Sequence, residues 1–174
     1  MRTVPSGDAG DALDRLLGEQ WHILELFDSY ARARRGPAPR VYEAERLATL
    51  IYALLRVHGE LEAMLLRSAE DEGAPSARAA PRRQAVFDSL QRAQAMSAQD
   101  AAHVPQMAVL AQQVCAWFRA DEQEVFAWAR ASRLDLTALD QEMARHQQQR
   151  LDTGRQLRPR IGAEPAASAR AACG

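Results

Sequence analysis

The chain has 174 residues, 22 basic and 23 acidic side chains, and a formal net charge of -1. That length is enough for one domain with a full hydrophobic core, and 47% apolar with 26% charged residues is an ordinary globular balance. The near-neutral charge excludes a nucleic-acid binder driven by bulk electrostatics. Two cysteines are too few for a disulfide framework.

Residues 1–10 are polar, carry no apolar stretch of the signal-peptide kind, and are expected to be flexible. A first helix is expected over residues 11–31, followed by an arginine- and proline-rich loop over 32–40. A second helix spans 41–67 and breaks in the stretch that holds Gly73 and Pro75. A third spans 81–96 with Pro81 in its first turn, where proline is tolerated. A fourth runs from 105 to 130 and a fifth from 136 to 150, the last behind a cap at Asp135 or Thr137. Residues 153–174 are rich in alanine and arginine without an apolar stripe, and are expected to be disordered. Strand signals are nearly missing. The fold class that follows is all-α: an antiparallel four-helix bundle over residues 11–152, with an additional C-terminal helix. No apolar run reaches the roughly 18 residues of a membrane span, so a cytoplasmic protein with no membrane partner is expected. All 22 basic residues are arginine and asparagine is missing, which reads as a bacterial-type bias toward GC-rich codons.

Projection at about 100° per residue shows which polar groups fall inside the apolar stripes. On the first helix Gln20 lies at the centre of the stripe of Leu13, Leu16, Leu17, Ile23, Leu24 and Phe27, and His22 lies on the opposite side. On the second, His58 and Glu62 sit one turn apart near the middle of the stripe. On the third, Gln94 shares the face of Phe87 and Leu90, and Gln91 is less central. On the fourth, Asp121 lies near the centre and Trp117 one turn earlier. A buried charge without a partner costs several kcal/mol, so these groups are expected to meet.

Four segments carry a resemblance: DALDRLLGEQWHILELF from Asp11, VHGELE from Val57, VCAWFRADEQEVFAWAR from Val114 and LDLTALDQEMARHQQQR from Leu134. In this order and spacing the chain resembles the hemerythrin-like family with the HHE cation-binding domain. The resemblance implies a four-helix bundle that holds two non-haem irons. It implies a histidine on helix one, His-x-x-x-Glu on helix two, a histidine on helix three and His-x-x-x-Glu on helix four. Members bind or sense dioxygen, nitric oxide or iron, or contribute to stress responses. In this chain the positions read Gln20, then His58 with Glu62, then Gln91 or Gln94, then Trp117 with Asp121. Three imidazoles are missing, and neither a glutamine amide nor an indole N–H replaces them as an iron ligand.

Three readings follow. The first is a non-enzymatic sensor, regulatory or interaction protein with a degenerate metal centre and no cofactor, acting on a protein partner of unknown identity. In it, His58 bridges Glu62 or Asp121 and Gln20 donates to a carboxylate. The second is a metal protein in which His58, Glu62 and Asp121 hold non-haem iron. The third is a small-molecule-binding bundle that uses the vacated core. Glu19 and His22 have Glu-x-x-His spacing, but His22 projects away from the core. His103 reads as a loop residue before Pro105, and His146 shares a face with Leu139 and Met143. Trp117, Phe118, Phe126 and Trp128 read as core packing, Trp21, at the flank of the first stripe, as a residue of a partner surface, and Cys173 as incidental. No nucleophile triad or glycine-rich phosphate loop is present.

Overall fold

Asp11 starts the first helix. Its carboxylate accepts from the backbone N–H groups of Leu13 (2.8 Å) and Asp14 (3.1 Å), and Asp14 accepts in return from the Asp11 N–H. This reciprocal cap satisfies three donors that helix geometry leaves open. In the computed structural model, which describes residues 10–35, 38–68 and 75–156, helix α1 then runs through Ala12–Arg34. Helix α2 occupies Val41–Arg67, the span expected from its periodicity.

Helix α3 is Ser76–Gln94 and starts ahead of Pro81. The Pro75 carbonyl accepts from the N–H groups of Arg78 (3.0 Å) and Ala79 (2.9 Å), which nucleates the first turn there. Pro81 consequently lies inside the helix, on an exposed position. Helix α4 is His103–Ala120, with Pro105 as its third residue, where no backbone N–H is needed. It does not end in a loop. A π-helical turn at Asp121–Val125 joins it to helix α5, Phe126–Ala131, and the Phe126 N–H bonds back five residues to the Asp121 carbonyl. Helix α6, Leu136–Gln156, is capped by Asp135, which accepts from the Ala138 N–H at 2.9 Å. Its backbone stays helical through 153–156, part of the segment expected to be disordered. The rest of that segment, with Cys173, and residues 1–9 lie outside the described residues.

All regular structure among the described residues is helical. None of these helices is long and apolar enough to cross a membrane. α1 packs along α2, α3 along α4, and α6 against both α1 and α2. The apolar interior has two parts. One gathers Ile23 to Ala33 of α1, Ala44 to Leu55 of α2, Val86 to Ala93 of α3 and Met107 to Phe118 of α4. The other gathers Ala12 to Leu16, Leu61 to Leu66, Ala79, Val125 to Ala129, and Leu139 with Met143 of α6.

The expected inward face of helix three is corrected. Gln91 and Gln94 are both exposed. The buried face of α3 is Ala79, Val86, Ser89, Leu90 and Ala93. Its centre is set by small residues, so Gln94 lies past its edge and Gln91 on the far side. Phe87, the largest apolar residue of α3, is only partly buried.

Candidate functional site: a polar layer between two apolar clusters

Each helix that joins the two clusters carries one or two polar positions where they meet. On α1 it is Gln20, on α2 His58 and Glu62, on α3 Arg83, and at the π turn Asp121. Gln20, His58, Glu62 and Asp121 are each no more than 2% exposed. The structure therefore brings four of the expected polar residues to one level of the core, beside Trp117 at 1% exposure.

The contacts within this layer differ from those expected. His58 bridges neither Glu62 nor Asp121 by a hydrogen bond. Its Nδ1 donates to Glu19 Oε2 at 3.1 Å, because a carboxylate only accepts. Glu19 also accepts from the Gln147 amide of α6. Glu19 thus faces His58, while His22, three residues on, is exposed. Among the described residues Gln20 donates to nothing: neither its amide nitrogen nor its oxygen has a partner there. His58 Nε2, Glu62 Oε1, Asp121 Oδ2 and Trp117 Nε1 are likewise buried without a hydrogen bond among the described residues. The other Glu62 oxygen meets Arg83 Nη1 at 3.4 Å.

The electrostatics follow from burial and like charge. Burial is the main cause that pushes Asp121 up to about 8, and the Glu62 carboxylate adds to it. Burial likewise raises Glu62, opposed in part by Arg83, by His58 and by the Trp117 indole. That indole N–H is near enough to favour the ionised carboxylate but makes no regular hydrogen bond. Two carboxyl groups sharing a dry site titrate as a pair, one of them holding its proton near neutral pH.

Aromatic rings close the layer on one side. His58 is stacked edge-on by Trp117, with ring centroids 5.3 Å apart, and by Phe118 at 4.9 Å. Trp117 therefore occupies the space beside the one core imidazole of this layer. A pair of irons does not fit this donor set. Among the described residues, no group of three or more His, Cys, Asp or Glu side chains is placed to hold a metal ion. Two surface grooves flank the core, and neither is lined by Gln20, His58, Glu62, Trp117 or Asp121. The larger, about 640 Å³ between α1 and α6, reaches only Glu19 behind His58.

A second buried polar cluster is absent from the sequence reading. His103, expected in a loop, is the first residue of α4 and 2% exposed. Burial, aided by Arg34, lowers its pKa and favours the neutral ring. Tyr52 donates to Met107 Sδ at 3.2 Å, so its oxygen accepts from His103 Nε2 at 3.0 Å. Tyr30 then donates to Nδ1 at 2.7 Å. Every polar atom of this chain of contacts has a role, unlike those of the layer below. The signal for it was present: His103 precedes Met107, Leu110 and Val114 at inward helical spacing.

The chain matches no protein-family model, no curated protein and no solved structure.

Proposed function

We propose that the chain is a hemerythrin-like antiparallel four-helix bundle whose metal centre has decayed into a buried polar layer, and that it works as a non-enzymatic regulatory or interaction protein. Support for the arrangement comes from the two clusters. α1 leads from the second cluster to the first, α2 back again, α3 to the first once more, and the run from α4 through α5 returns. α6 then covers the open end through Leu139 and Met143.

The observation that carries the functional reading is Trp117. It stands at a position where the family resemblance expects an imidazole, packs edge-on against His58, and fills the space a second ligand and its metal need. The bundle is thereby kept and the ligand set lost. The test is metal analysis of protein purified without chelator, followed by anaerobic titration with iron(II). The expected result is no stoichiometric metal and no new near-ultraviolet absorbance on exposure to air. One iron or more per chain, with such a band, contradicts the proposal.

Two observations favour a second reading. His58 Nε2, Glu62 Oε1 and Asp121 Oδ2 each leave one buried atom unpaired. His58 is also oriented from behind by Glu19, as metal-bound histidines are by carboxylates. One divalent ion on these three residues, which would have to draw closer than they stand in this structure, is the alternative function, and the same titration decides it.

A further inference from the structure

The outward face of α2 between α3 and α6 is hollowed. Gly59 and Ala63 contribute almost no side chain to it. Gly59 also lets Phe87 of α3 lie close, since a Cβ there would stand 2.7 Å from the Phe87 Cζ atom. The result is a trough of about 430 Å³, within the few hundred Å³ typical of small-molecule sites.

Four arginines border this trough: Arg56 and Arg67 of α2, Arg83 of α3 and Arg150 of α6. One carboxylate, Glu60, lines it and is already engaged by His146 Nε2 and Arg150 Nη2, both at 2.7 Å. Arg56 donates to the neutral Gln94 amide at 2.8 Å. Among the described residues neither Arg56 nor Arg67 forms an ion pair. A chain of net charge -1 thus concentrates positive charge around one concave surface. Such a surface raises the local concentration of anions. Guanidinium forks match phosphoryl oxygens two at a time, and Phe87 offers an apolar wall for the remainder of a ligand.

We propose that this trough binds a small organic phosphate, with its phosphoryl oxygens held by the arginines of α2 and α3 and its apolar part against Phe87. The trough and the core layer meet at Arg83, which also touches Glu62. Capture of an anion does not require a metal in the core, so this inference stands apart from the function proposed above.

The test is calorimetric titration of the full chain with inorganic pyrophosphate, ATP and citrate at low salt, in the wild type and two variants. Arg56→Gln/Arg67→Gln removes two exposed cations that support no buried contact. Arg46→Gln removes an exposed α2 arginine outside the trough. The expected result is saturable one-to-one binding of ATP, tighter than that of citrate. It weakens by about tenfold or more in the double variant, the loss expected from charge-assisted hydrogen bonds, and stays unchanged in Arg46→Gln. No saturable binding overturns the proposal, and so does equal weakening in both variants. Citrate matching ATP rejects the preference for phosphate.

Discussion

Asp121 and Glu62 cannot both be ionised cheaply in one buried layer, and this sets a pH dependence with a definite sign. The folded pKa of Asp121, about 8, lies above the usual aspartate value of 3.8. The folded protein therefore holds more protons than the unfolded chain between these values. Stability contributed by the protonated pair is complete below the unfolded carboxylate pKa and is lost as pH rises through about 8. The loss approaches about 1.4 kcal/mol per pH unit for one proton. His103 acts with the opposite sign. Its lowered pKa makes the fold weaker as pH falls below the usual histidine value of 6.5, so it does not interfere above that point. Urea unfolding of the wild type from pH 6.5 to 9 should show a falling stability. Asp121→Asn, which keeps the shape of the protonated acid, should flatten that curve and be the more stable protein at pH 8.5. An unchanged slope in the variant would remove Asp121 as its source. The four polar residues of the layer were legible in the sequence because each interrupts a strong apolar stripe. Their pairing was not, because Glu19 lies at the edge of its stripe and enters only through its contact with another helix.

At the scale of elements, legibility followed the strength of the apolar pattern. α2, with leucines and isoleucine on one face, took its expected bounds. α3 did not, because its inward face is built from Ala79, Ser89 and Ala93 with Val86 and Leu90. Small residues give weak periodicity, and the eye is drawn to Phe87. The π turn was hidden for another reason. It adds one residue to a helix whose composition is unchanged, and its one trace in the sequence is the adjacent buried pair Val125–Phe126. π turns concentrate at functional positions, and this one contains Asp121. Contact between α2 and α3 rests on Gly59 beneath the Phe87 ring. Gly59→Ala gains up to about 1 kcal/mol in helix propensity. The new methyl meets the ring, which is also held near Trp117 with centroids 6.3 Å apart. Overpacking of this kind costs about 1–3 kcal/mol, so the net change should be destabilising by about 1 kcal/mol. In a Phe87→Ala background the same substitution should become stabilising. Thermal unfolding of the four proteins reads the sign, and a loss of equal size in both backgrounds would show that Phe87 is not the obstacle.

The described residues form two dry clusters joined by a layer in which six buried polar atoms have no partner among those residues. Each such atom costs about 1–3 kcal/mol, so the layer opposes the stability that the clusters on either side supply. A structural layer and a metal-binding one then respond differently to loss of one member. Glu62→Leu removes an unpaired oxygen and the like charge beside Asp121, and places an apolar side chain beside Leu61 and Leu65. The one ion pair it breaks is that of Arg83, whose side chain is 25% exposed and reaches water in the trough. Replacement of a buried charge by a packed apolar group is often neutral or stabilising by about 1–4 kcal/mol. His58→Ala instead takes a ring from between Trp117 and Phe118 and leaves Glu19 without its nearest donor. A cavity of that kind costs about 2–5 kcal/mol. Without a metal, Glu62→Leu should melt at or above the wild-type temperature and His58→Ala well below it, with added iron(II) or chelator moving neither. If His58, Glu62 and Asp121 share an ion, the wild type should gain stability with iron(II) and lose it with chelator. Both variants should then lose that response to iron(II) and chelator, because either substitution breaks the same three-residue site.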